Sequence, residues 1–205
     1  MAGWAVGLLL VYLALAFGVR VAVAIRTTGG TGIARLRGAP SLELLGGGLF
    51  AAAVALGVAN PVLVLGDVLE PIDGLDETPL HAVGFVCAGT GIAGTFLAQM
   101  AMGASWRIGV DESDRTDLVT GGVFSLCRNP IYTFMLIAWT GLALLVPTWL
   151  SIASVPAGII AFEAQVRLVE EPYLLRTHGQ AFRAYASRVG RFLPGLGRLS
   201  YKEER

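Results

Sequence analysis

Two short stretches of the sequence carry residues able to do chemistry. The first is Glu163, Arg167, Glu170 and Glu171. Positions 163, 167 and 170 follow i, i+4, i+7 and so share one helical face. Glu163 stands four residues ahead of Arg167, the favourable order for a helical ion pair. This face follows directly on an apolar run, and two readings are open. One is a solvated helix end with a surface pair, worth a few tenths of a kcal/mol. The other is a polar site, because ionisable side chains at such depth face a bundle interior or a cavity. Pro172 disfavours α geometry at Glu171, so the sequence predicts the two adjacent carboxylates at a bend that opens a new segment.

The second stretch is Arg128-Asn129-Pro130-Ile131-Tyr132, led in by Leu118-Val119-Thr120-Gly121-Gly122-Val123-Phe124. Asn129 is a natural N-cap and Pro130 a natural first helical residue. On one reading the motif only starts a helix. On the other, the same geometry leaves backbone N–H groups free beside Arg128, an arrangement suited to a carboxylate. Other chemistry is excluded. His81 and His178 stand apart from any metal-ligand spacing, and two cysteines, Cys87 and Cys127, make no disulfide framework. Gly89-Thr90-Gly91-Ile92-Ala93-Gly94 fits a dinucleotide-binding pattern in letters only. No strand precedes it, and small residues at this spacing let membrane helices approach closely. Gly46, Gly47, Gly48 and Gly57 receive the same packing reading.

The elements that must position these residues are written in the composition. Of 205 residues, 55% are apolar before glycine is counted and 15% are charged, with fifteen basic and fifteen acidic side chains. Low charge and high hydropathy exclude a disordered chain, and the missing basic surplus argues against nucleic acid as a partner. Windows of about 19 residues give five apolar segments. They run from about Trp4 to Ile25, Leu42 to Leu65, Leu80 to Ala104, Ile131 to Val146, and Trp149 to Gln165. The last two are separated by a break so short that it predicts a helical hairpin, with Pro147, Trp139 and Trp149 near an interface; a single bent or re-entrant segment is the competing reading. The first segment reads as an uncleaved anchor, since Met1-Ala2-Gly3 lacks a basic leader region. The expected fold is therefore an all-α integral membrane protein with five transmembrane helices. It divides into a three-helix region (1–104) and a C-terminal region (105–205).

Charge placement orients it. Arg20, Arg26, Arg35 and Arg37 lie at or after the first segment, Arg107, Arg115 and Arg128 between the third and fourth, and the remaining eight at the end of the fifth or beyond. The loop between the second and third holds only acids: Asp67, Glu70, Asp73, Asp76 and Glu77. The positive-inside rule predicts an outer N-terminus and a cytoplasmic C-terminus. Beyond the last segment, Pro172 to Val189 has the pattern of an interfacial amphipathic helix, its aromatics at the headgroups and its arginines near anionic lipid; a lid over the site is the alternative.

The motifs together resemble those of a known family. Leu118-Val119-Thr120-x-Gly122-x-Phe124, Arg128-Asn129-Pro130-x-Tyr132, and Glu170-Glu171 with His178-Gly179 and Tyr185 resemble the isoprenylcysteine carboxyl methyltransferase family, to which phospholipid methyltransferases are similar. The resemblance covers about residues 103 to 194. It implies S-adenosylmethionine bound near the cytoplasmic boundary, with Gly122, Arg128, Asn129, Pro130 and Tyr132 along one wall, Glu170 and Glu171 along the other, and His178 closing the pocket. Asn129 stands where the family often has His, and Phe134 where it often has Gly, which changes the room near a cofactor or substrate tunnel. The resemblance implies methyl transfer to a lipophilic substrate (isoprenoid-, quinone- or fatty-type) entering from membrane lipid. Catalytic parts then fall to Arg167, orienting an acidic group of the substrate, and to Glu171, offsetting the sulfonium charge. A NADPH-dependent reductase of sterol-reductase type and a non-catalytic membrane protein are the competing functions. Fourteen Arg against one Lys suggests a GC-rich bacterial genome, hence a bacterial plasma membrane.

Overall fold

A computed structural model describes the chain over residues 1–33, 41–107 and 116–200, and the side chains of all of these except 41–46. Helices dominate. α1 spans Ala2–Thr28, α2 Ser41–Leu65, α3 Thr78–Ala101, α4 Pro130–Leu145, α5 Trp149–Gln165 and α6 Glu171–Arg188. The five apolar segments of the sequence are thus five helices, and the fold is an all-α membrane bundle. Arg35, Arg37, Arg115, Lys202 and Arg205, which entered the charge argument, lie outside the described residues.

α3 and α4 form the tightest seam. A Cβ placed on Gly91 would lie 2.2 Å from the Ala138 backbone nitrogen, and one on Gly141 would lie 2.2 Å from that of Ala88. With no water to expel from between them, helices in lipid associate through such close backbone approach. Gly91 and Gly94 of the dinucleotide-like motif are therefore packing residues. Gly57 meets the Trp139 ring in the same way, whereas Gly47 and Gly48 face open space. Phe134 fills the room beside Gly94, so its ring is spent on the α3 interface.

The α4–α5 hairpin is present, and its turn is fixed by polar bonds. Thr148 caps α5 with a reciprocal capping box to Ser151. Asn60 of α2 donates from Nδ2 to the Val146 carbonyl at 3.0 Å and accepts from the Thr148 hydroxyl at 2.5 Å. Such bonds satisfy backbone groups that lipid cannot. Trp149 is 75% exposed, consistent with an interfacial anchor. Trp139 departs from the expectation: it is buried, and its indole donates to Ser154 Oγ at 3.1 Å. A mid-helix tryptophan with a hydroxyl in reach is stabilised inside the bundle.

Two π turns interrupt the long helices. The first, Ala14–Val19, directly precedes Arg20 in α1. Arg20 is 1% exposed, donates to the Gly103 carbonyl and stacks 4.5 Å from the Trp106 ring centroid. The second, Val166–Glu170, joins α5 to α6 and corrects the predicted bend. Glu171 is helical (φ −61°, ψ −44°), and the chain runs through Pro172 without breaking. Proline lacks an N–H and its ring clashes with the carbonyl four residues back; a widened turn shifts that carbonyl out of line. The break comes later, at Gly179 (φ 51°, ψ −119°).

α6 also departs from the interfacial reading. Phe182, Tyr185 and Ala186 are buried, in a cluster with Leu118, Leu174, Leu175, Val189 and Leu199. Its apolar face covers protein, while Arg176, Arg183 and Arg188 point outward. Segregation of charge is plain in the fold. Arg26, Arg107, Arg128 and the α6 arginines gather at one end of the bundle, and the acidic loop 66–77 caps the other, bonded there to the hairpin by Ile72 N–H to Pro147 O at 2.8 Å.

Candidate active site

The site is built where α4 begins and α5 passes into α6. After α6 the chain returns as a looped strap, residues 189–199, laid across the start of α4 and folded on itself by the Leu196 N–H to the Leu193 carbonyl at 3.2 Å. The Arg128 N–H donates to the Gly190 carbonyl at 2.8 Å, and the Asn129 N–H to that of Arg191 at 3.0 Å. The Thr133 hydroxyl donates to the Phe192 carbonyl at 2.7 Å. Asn129 also gives its side-chain amide to the Arg191 carbonyl, at 3.1 Å, and makes no capping bond. Asn129 thus takes the N-cap position without a side-chain capping bond, and its own N–H and that of Arg128 are taken by the strap. Pro130 does open the helix, and is fully buried.

Arg128 is buried in a charge cluster. Its Nη2 lies 2.6 Å from Oε1 of Glu171 and 3.1 Å from the Gly197 carbonyl, while Nη1 donates to the carbonyls of Ala186 and Val189. Arg191 meets the same carboxylate from the other side, Nε to Oε1 at 2.8 Å and Nη2 to Oε2 at 3.0 Å. Glu171 is 7% exposed. One buried carboxylate therefore sits between two guanidiniums, held by the fork of Arg191 and by a single Nη2 of Arg128. Glu163 lies 3.9 Å from Arg191 and pairs with Arg167 one turn on.

Glu170, the neighbour of Glu171, points elsewhere. The Tyr132 hydroxyl donates to its Oε1, linking the first turn of α4 to the end of the π turn. Tyr132 is held by aromatic rings, with centroids 5.0 Å from Phe162 and 6.1 Å from Phe50. Glu170 is half-buried. Adjacent residues of a helix project about 100° apart, which is why one acidic pair serves two surroundings.

A third part is the turn Gly122–Ser125. Gly122 has φ +60°, a left-handed conformation that glycine adopts freely, and a Cβ there would meet nothing within 4 Å. Phe124 is buried behind it, and its carbonyl accepts the Tyr185 hydroxyl at 2.6 Å, which pins the turn to α6. Beside the turn, burial pushes the Cys127 thiol up, so it serves in packing as a neutral group. The remaining sequence candidates stand apart. Arg167 is exposed and, among the described residues, forms its ion pair with Glu163 one helical turn back. His178 is half-buried just ahead of the Gly179 break, and no hydrogen bond or ion pair among the described residues joins it to the cluster. Arg191 was not among the candidates. Its only sequence signal was an arginine between apolar neighbours just after α6.

Fold and site together define a class: an all-helical membrane protein whose carboxylates and arginines gather where two apolar helices meet a polar lobe. The phospholipid methyltransferase family profile matches residues 79–181, from the first turn of α3 into α6. The chain belongs to the phospholipid methyltransferase family and is a membrane methyltransferase. The match takes in α3, which lies outside the span of the sequence resemblance. No curated protein matches the chain by sequence. Among solved structures it is similar to the eukaryotic intramembrane Ras methyltransferase, isoprenylcysteine carboxyl methyltransferase, with a TM-score of 0.58 and 18% identity over 92% of this chain and 67% of that one. At that identity the likeness is one of fold.

Proposed function

We propose that the protein transfers a methyl group from S-adenosylmethionine to a lipophilic acceptor (isoprenoid-, quinone- or fatty-type) drawn from the surrounding membrane. The observation that carries this reading is Glu170, a half-buried carboxylate fixed by Tyr132 at the polar end of a methyltransferase-family bundle.

The residues present fit such a donor. Gly122 offers open backbone in a left-handed turn, where a ligand can approach closely. Glu170 has carboxylate lone pairs beyond the one bonded to Tyr132, able to accept from an amine or from ribose hydroxyls. When bound, S-adenosylmethionine supplies an activated methyl, so the protein has mainly to position the reactants and exclude water. Glu170 contributes negative charge opposite the sulfonium. Tyr132 orients it, and the Phe50 and Phe162 rings keep its apolar side dry. Arg167, exposed at the helix end, is placed to meet an acidic group on the acceptor. His178 closes the donor side from α6.

Access from lipid is supported by the helix surfaces, where Leu10, Val62, Val86, Leu97 and Ile160 are exposed. The segregation of charge supports an outer N-terminus and a site facing the cytoplasm, and the preponderance of Arg over Lys supports a bacterial plasma membrane. Titration calorimetry of detergent-solubilised protein tests the reading. Binding of S-adenosylmethionine or its demethylated product is expected; folded protein that binds neither would sink it. Labelled methyl transfer into a lipid extract, followed by mass spectrometry, identifies the acceptor.

A further inference from the structure

We propose that Arg191, which belongs to none of the sequence motifs, is a positioning residue of this site: acting through Glu171 it fastens the strap 189–199 across the start of α4 and leaves Glu170 as the carboxylate of the pair that meets the methyl donor. This deepens the methyltransferase reading above and rests on it.

The argument is one of occupancy. Both oxygens of Glu171 are engaged, Oε1 by Arg128 and Arg191 and Oε2 by Arg191, and the group is nearly closed to solvent. A ligand that used Glu171 would have to displace a buried guanidinium and leave its charge unpaired. Glu170 is bonded by Tyr132 and Gln165, neutral donors whose displacement leaves no buried charge unpaired. The two Glu171 partners belong to the elements that must be held together. Arg128 precedes α4 and grips the strap through Val189 and Gly197 carbonyls, and Arg191 is part of the strap itself. The carbonyls of Gly190, Arg191 and Phe192 then hold Arg128, Asn129 and Thr133, which fixes the turn carrying Tyr132. Glu171 also sets the rotation of its helix, and so aims Glu170 at that tyrosine. Between its anchored ends the strap turns through exposed residues: Leu193 and Leu196 are exposed, and Gly195 and Gly197 are left-handed. Removing Arg191 cuts the strap's charged tie to α6 and leaves the apolar contacts of Val189 and Leu199 there.

Hydrogen exchange of the detergent-solubilised protein, read beside calorimetric affinity for S-adenosylmethionine, tests this. In Arg191→Met, exchange at the amides of Arg128 and Asn129 should rise at least about tenfold, with α3 amides within about twofold of wild type. Donor affinity should fall about tenfold. Arg191→Lys, which keeps charge but loses the fork, should fall between in both readouts, and it decides the matter if Arg191→Met loses α3 protection as well. Glu170→Gln should cost affinity at least about tenfold while strap exchange stays within about twofold. Adding Arg191→Met to Glu171→Gln should change neither readout more than about threefold, because Glu171→Gln has already cut the Arg191 link. The proposal is overturned if Arg191 variants leave the strap closed, or open it without weakening donor binding. It is equally overturned if Glu171→Gln alone abolishes binding with the strap closed. A wild-type protein that bound no donor would end the methyltransferase reading and the positioning role with it, whereas the exchange data would still show whether Arg191 fastens the strap.

Discussion

Arg128 and Glu171 are 43 residues apart in the chain, yet Nη2 of one lies 2.6 Å from Oε1 of the other in a buried contact. This pair joins the segment that enters α4 to the first residue of α6. Its strength comes from enclosure, since a guanidinium that also holds backbone carbonyls of Ala186, Val189 and Gly197 has little rotamer freedom left to lose.

Truncating either partner leaves an uncompensated charge in the interior. Glu171→Ala and Arg128→Ala are each expected to destabilise the protein by about 3–5 kcal/mol. Thermal unfolding in detergent should show the loss, and the double variant should be clearly less than additive because the residues touch. Full additivity would deny the contact.

Tyr132→Phe removes one hydroxyl from an otherwise intact aromatic cluster. The fold should survive, with a stability change of about 1 kcal/mol. Affinity for S-adenosylmethionine should fall by about three- to tenfold, as Glu170 loses the donor that orients it. Unchanged calorimetric affinity would detach Tyr132 from the site.

The seam between α3 and α4 makes a steric prediction. Gly91→Leu forces a side chain into the Ala138 backbone and should abolish folded protein in size-exclusion chromatography. Gly89→Leu points into open space and should behave as wild type. Equal tolerance at both positions would contradict the packing.

Arg167 separates substrate from donor. Arg167→Ala breaks an exposed helical pair, so stability should move by no more than about 0.5 kcal/mol. Donor affinity should stay as it is, and turnover of an acidic acceptor should drop at least about tenfold. A neutral acceptor should be insensitive to the change.

Orientation is open to direct labelling. A cysteine at Asp73 should react with an impermeant maleimide added outside intact cells, and one at Arg198 only after lysis. The reverse pattern would invert the topology.

The sequence by itself determined the bundle. Runs of apolar residues long enough for a bilayer must become helices, because lipid offers no partner to a free peptide group. Segment ends were therefore legible to within a few residues, and Trp149–Gln165 was met at both ends. Small residues on α3 announced a close partner, and the i, i+4 spacing announced the Glu163–Arg167 pair, since both depend on local periodicity. Tertiary structure alone decided what each charged group does. Spacing puts Glu170 and Glu171 on different faces, yet it does not say which of them meets the buried arginines, because that depends on which neighbours a helix meets on its two sides. Nor does sequence foretell that Asn129 forgoes its cap, that a π turn carries the chain through Pro172, or that Phe182 and Tyr185 turn inward. Each follows from the strap and the lobe folding back on α4, a contact between residues about sixty positions apart. Arg191 shows the limit most clearly. An isolated arginine after a helix reads as solvated charge, and only the buried carboxylate facing it makes it part of a site.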